Sequence, residues 1–155
     1  MNLIEPATLA LLIGACIAAA IYDLYQRRIP NWLCIVTMIA GLAAAPFAGG
    51  LSDLNSHAIH LVVALIGGML LFKLGAFGGG DAKFYAAVAA WFSLGKASLL
   101  LMTVAACGLI LLIVWFIVRR VQGKPVRRSS TDPGSGLPYG VAIGAGAILM
   151  KLIMV

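Results

Sequence analysis

Two aspartates, Asp23 and Asp81, stand where carboxylates are expensive. Asp23 closes the first apolar segment of the chain, and Asp81 opens the fourth, directly after Gly78-Gly79-Gly80. An Asp in the middle of a membrane helix costs about 2.5–3.5 kcal/mol on insertion scales, so such residues need a partner or a purpose. Each has a plain structural account when taken alone. Asp81 caps a helix after a glycine turn, and Asp23 pairs with Arg27 one turn later. Taken together they suit one chemistry. Two nearby carboxyl groups cannot both ionise cheaply, so they share a proton. The ionised member takes a proton from a water that attacks a peptide carbonyl. The protonated member polarises that carbonyl, and the roles reverse as the amine leaves. Neither a metal nor a covalent intermediate is required, and no metal or cofactor is expected. Gly75, Gly78, Gly79 and Gly80 strengthen the case, because irregular backbone beside lipid is tolerated only where it packs in protein or lines a cavity.

The elements that must position these groups are membrane helices. The chain has 155 residues, 63% hydrophobic and 10% charged. A soluble domain carries about 25% charged residues to cover its surface. The composition therefore excludes a soluble enzyme, a secreted disulfide scaffold and a disordered tail. Six apolar segments can be drawn, at about 7–25, 32–48, 57–76, 82–95, 97–118 and 137–155, and most reach the length that crosses a bilayer. The fourth is short. Without strand alternation or repeats, the expectation is an all-α polytopic membrane protein of about six transmembrane helices in one domain, 1–155. The first segment is expected to be a permanent helix. Its basic pair, Arg27-Arg28, follows the apolar run, and Glu5 precedes it, the reverse of a signal peptide.

Basic residues set the expected orientation. Arg27, Arg28, Lys73, Lys83, Arg119, Arg120, Lys124, Arg127 and Arg128 fall in alternate loops, while the opposite side has only Lys96 and Lys151. The positive-inside rule places the first group in the cytoplasm, with both termini outside. Asp23 and Asp81 then share the cytoplasmic face. The net charge of +6 comes from this distribution and forms no single patch, so no nucleic-acid partner is expected. Residues 119–136 read as a flexible cytoplasmic connector that touches lipid headgroups. Cys16, Cys34 and Cys107 read as small buried hydrophobes. His57 and His60 read as part of an interfacial helix on the outer side, Asp53 as a cap and Asp132 as a turn residue. Trp32, Trp91 and Trp115 are expected at interfaces or in packing, and Gly144-Ala145-Gly146 at a close helix contact.

Three motifs carry a resemblance. Gly78-Gly79-Gly80-Asp81-Ala82-Lys83 resembles the GxGDxK pattern of the GxGD membrane aspartyl proteases. Asp23 followed by Arg28-Ile29-Pro30-Asn31 resembles the first-aspartate motif of the type IV prepilin peptidases within that group. Leu137-Pro138-Tyr139-Gly140 resembles the Pro-Tyr motif that opens their last helix. The resemblance implies that Asp23 and Asp81 form a catalytic dyad, with Gly78, Gly80, Lys83, Pro30, Asn31, Pro138 and Tyr139 shaping the site. It implies removal of a short basic leader from pilin precursors at the cytoplasmic face of a bacterial inner membrane. The chain lacks the paired CxxC zinc ligands of the long members, so it is similar to the short Tad/Flp type, and no N-methylation is implied. Helix dipoles place the negative charge on Asp81, at a helix N-terminus, and the resting proton on Asp23, at a C-terminus. A β-branched residue at Gly80 is expected to abolish cleavage. The competing accounts are a small proton-coupled transporter or channel component with the two aspartates as relay groups, and an assembly subunit without chemistry.

Overall fold

The computed structural model describes residues 4–75, 77–123 and 137–154. In chain order its helices are α1 (Ile4–Gln26), α2 (Asn31–Ala44), the one-turn α3 (Pro46–Gly49), α4 (Leu51–Lys73), α5 (Gly79–Ala89), α6 (Ala97–Val121) and α7 (Tyr139–Met154). A 3₁₀ turn, Leu94–Lys96, precedes α6. Among the described residues there is no strand, and the protein is an all-α membrane protein. Within the connector 119–136, residues 124–136 lie outside the described residues, and so does the turn expected at Asp132.

Three helical stretches, Glu5–Gln26, Leu51–Lys73 and Leu94–Val121, are long and apolar enough to cross a membrane. With 14 and 16 residues, α2 and α7 extend about 21 and 24 Å at 1.5 Å per residue, short of a hydrocarbon core of about 30 Å. The 11 residues of α5 extend only about 16 Å. Yet α5 is the centre of the molecule. Phe84 and the whole run Ala86–Phe92 are buried. Because α5 is almost wholly apolar after Lys83, that part needs protein round it, and α4, α2 and α7 supply that cover. The outer faces of α1, α4 and α6 present Ile17, Ile21, Ile66, Leu109 and Ile113 to lipid.

Small residues set the helix spacing. A Cβ at Gly68 of α4 would lie 3.0 Å from the Ala82 Cβ of α5, and one at Gly144 of α7 would lie 3.2 Å from the Cys16 Cβ of α1. At Gly146 it would stand 2.6 Å from the Val104 backbone of α6. This is the close approach expected of Gly144-Ala145-Gly146.

Because α5 stops inside the bundle, its last carbonyls need donors. Nδ1 of His57 donates to the Ala90 carbonyl and Nδ1 of His60 to that of Phe92, both at 2.9 Å. The Leu94 N–H donates to Ser56 Oγ at 3.0 Å, and Trp91 Nε1 donates to the Thr37 carbonyl at 2.9 Å. The two histidines are buried, not interfacial, and they lie one turn apart to meet a broken backbone. A helical spacing of three residues reveals a shared face but not what that face meets. Trp91 likewise packs in the core, where a Cβ at Gly41 would come within 2.8 Å of its ring.

Candidate active site

Asp23 lies in the last turn of α1 and is buried. Its Oδ2 accepts a 2.7 Å hydrogen bond from the Gly140 N–H, in the first turn of α7, and the Val141 amide lies beside it. Amides in a helix's first turn have no partner within the helix, so they favour a negative charge placed there. The Arg27 guanidinium is within electrostatic reach of the same carboxylate. The Arg27 backbone adopts φ 53°, a left-handed cap that costs a non-glycine residue about 1–2 kcal/mol. Its N–H donates to the Asp23 carbonyl at 3.1 Å, so the chain turns out of α1 directly after the carboxylate.

Ile29 and Pro30 carry the chain into α2. Pro30 precedes the first turn of α2, and its carbonyl accepts from the Leu33 and Cys34 amides. Ile29, buried, is the wedge around which the site assembles. A Cβ at Gly80 of α5 would meet the Ile29 backbone N at 3.6 Å, and one at Gly140 of α7 would meet Ile29 Cδ1 at 2.8 Å. One isoleucine thus draws the first turns of α5 and α7 to the end of α1.

Asp81 is the third residue of α5, three after the cap residue Gly78. The Gly78 N–H donates back to its carboxylate, which is half of a capping box. A Cβ at Gly78 would stand 2.5 Å from Asp81 Oδ2. A side chain here would therefore push the carboxylate out of its bond to the turn. At Gly80 the contacts are ordinary van der Waals distances, so the strict positions are Gly78 and Gly140 rather than Gly80. Asp81 lies outside the three long helices, and burial raises its carboxyl from the usual range to about 6, with the neighbouring Asp23 charge adding to the rise. The two aspartates, 58 positions apart by their numbers, thus sense one another across the ends of α1 and α5.

The surrounding residues lock this edge. Lys83 Nζ donates to Asn31 Oδ1 at 3.2 Å and so ties α5 to α2. Tyr139 stacks on Phe77, with centroids 5.5 Å apart and planes inclined by 30°, which joins the start of α7 to the turn before α5. Pro138 is buried, and its carbonyl accepts from the Val141 amide. Asp53 sits in the first turn of α4 and Glu5 in that of α1. Among the described residues, no three His, Cys, Asp or Glu side chains are grouped as a metal site. Gly140 was missed by reasoning from the sequence. The signal was present in its place, a glycine two residues into a helix after Pro138, but nothing local says which carboxylate that amide faces.

The raised value at Asp81 has a measurable consequence. A buried carboxyl is cheaper neutral, so its contribution to stability is fully present below about pH 4 and is lost as pH rises through about 6. Asn cannot ionise. In detergent, Asp81→Asn is expected to match the parent near pH 4 and to gain about 1–2 kcal/mol near pH 7.5, after allowing for solvent screening. Thermal melts at the two pH values test this, and an equal difference at both refutes it.

Among comparisons with known proteins, a model of the type IV leader peptidase family matches residues 10–116, which include both aspartates, the glycine turn and the Ile29-Pro30-Asn31 element. No curated protein and no solved structure matches the chain.

Proposed function

The chain belongs to the type IV leader peptidase family, and from that premise we propose that it removes the short basic leader of Flp-like type IV prepilins, with Asp23 and Asp81 as its aspartic dyad. The cut is made at the cytoplasmic face of a bacterial inner membrane, with both termini outside and no methyl transfer. One observation carries the reading. Two acids at the ends of different helices lie close enough for one to raise the other, beside an amide that holds the first.

The geometry also favours a division of labour opposite to the one that single helix dipoles suggest. Asp23 does sit at the C-terminal end of α1, but it faces the N-terminal amides of α7, whose donated hydrogen bond stabilises its anion. Burial and the neighbouring Asp23 carboxylate keep a proton on Asp81 up to about pH 6, so Asp81 is assigned the proton that the pair shares.

In the proposed reaction Asp23 takes a proton from water as the water oxygen bonds to the scissile carbonyl carbon. Asp81 passes its proton to the carbonyl oxygen, forming a neutral gem-diol. Asp23 then gives its proton to the peptide nitrogen, the C–N bond breaks, and Asp81 recovers a proton from a gem-diol hydroxyl. The enzyme ends as it began. Lys83, Asn31, Pro30, Pro138 and Tyr139 hold the three helix ends in register, and Gly78 and Gly80 leave room for an extended substrate backbone beside Asp81.

The test is cleavage of an Flp-type prepilin by the purified protein in vesicles, with the new N-terminus identified by mass spectrometry. The expected product lacks the basic leader. An intact precursor, with a soluble control peptide also uncut, would return the protein to the relay-group reading.

A further inference from the structure

A groove of about 290 Å³ runs between α2 and α4 on the outside of the bundle. Its origin is in the sequence of α5. Ala86 and Ala87 form its floor, and their methyl groups are too small to fill the gap between the two longer helices, which barely touch one another. Ile35 of α2 and Leu65 of α4 form its rims, the former half exposed. Apart from one end, the lining is apolar. At that end stand Lys83 and Asn31, joined by their hydrogen bond. An ammonium group has three N–H donors and no acceptor, so Lys83 keeps donors for an anion after bonding Asn31.

We propose that this groove holds an anionic phospholipid, one acyl chain lying over Ala86 and Ala87 and the phosphate accepting from Lys83. The size fits one chain. The groove is at the low end of the range of small-molecule sites, about 300–1,000 Å³, and is narrow for a helix about 10 Å across. The charge also selects the occupant. Lys83 attracts a phosphate, whereas the basic leader of the proposed substrate would be repelled at this end. The same cation is two residues from Asp81, so a bound headgroup sits next to the site and steadies the link between α5 and α2. Only the exclusion of the basic leader rests on the peptidase reading; the groove and its cation stand without it.

Lipid retention tests it independently of activity. The full-length protein, extracted from vesicles of phosphatidylcholine and phosphatidylglycerol in equal parts, is analysed by native mass spectrometry. The parent should keep one phosphatidylglycerol with about fivefold preference, the value of one basic residue at an anionic surface. Lys83→Gln should lose the preference while still retaining one lipid of either kind. Ile35→Trp, which bulks a rim that already faces lipid, should lose the bound lipid altogether. An unchanged preference in Lys83→Gln overturns the proposal. So does a Ile35→Trp protein that keeps its lipid but shows a raised KM for prepilin, because that outcome gives the groove to the substrate's helix.

Discussion

Asp23→Asn and Asp81→Asn proteins will each leave the prepilin uncut, with cleavage slowed by about 10²–10⁴-fold or more, the usual worth of a positioned acid or base. Asn keeps the shape of Asp, so both proteins should reach the membrane in normal amounts. Asp23→Asn still accepts the Gly140 hydrogen bond through its carbonyl oxygen but cannot take a proton from water. Asp81→Asn cannot supply one. Because the two groups act as a unit, the double variant should be little worse than either single one. That non-additivity is the informative result. Two independent contributions would multiply, and normal cleavage by either single variant would remove the dyad altogether. Co-expression with the precursor, read by the shift from precursor to mature size, is sufficient to measure it.

Gly140→Ala is the second large effect expected. Its new methyl group would stand 2.8 Å from Ile29 Cδ1, 2.9 Å from Asp23 Oδ2 and 3.1 Å from Asp23 Cβ, closer than unbonded atoms settle. Turning the Ile29 Cδ1 aside relieves only one of these three contacts and leaves the two with Asp23. Relief therefore has to come from α7 moving away from α1, which stretches the bond that holds the Asp23 carboxylate. Overpacking of this kind costs about 1–3 kcal/mol of stability. A displacement of about 1 Å in a catalytic group costs about 10²-fold in rate. Gly80→Ala should lose far less, since its methyl group meets Ile29 only at ordinary contact distance. If Gly140→Ala cleaves at the parental rate and Gly80→Ala does not, the assembly around Ile29 described above is wrong. Kinetics in vesicles, with melting temperatures for both variants, separate lost geometry from lost folding.

Much of the helix pattern was legible because lipid imposes a crude rule on sequence. Apolar stretches must be helical, and the two carboxylates at their ends were conspicuous against that background. The histidines were misread for a physical reason. His57 and His60 answer to carbonyls more than 30 positions away, and no local pattern encodes a distant helix end. The short fourth segment was visible as short, but its place at the centre was not. Alanine is equally at home facing lipid or packed in a core, so the Ala-rich run 86–90 carries no sign of its surroundings. The proposed division of charge departs from the single-helix expectation for a related reason. A helix dipole can be read for each aspartate's own helix, but the amide that bonds Asp23 belongs to the start of α7, which reaches it only in space.

By itself, then, the sequence determined that this chain lives in lipid, that its backbone is helical, and that Asp23 and Asp81 are the acids whose placement demands a reason. Each of these follows from the cost of putting a polar group in hydrocarbon, which acts residue by residue. Only the tertiary structure decided that Ile29 gathers three helix ends, that the Gly140 amide holds Asp23, and that Asp81 feels its partner's charge. Those are contacts between segments far apart in the chain. Their energies depend on distances of a few ångströms, which are set when the bundle packs.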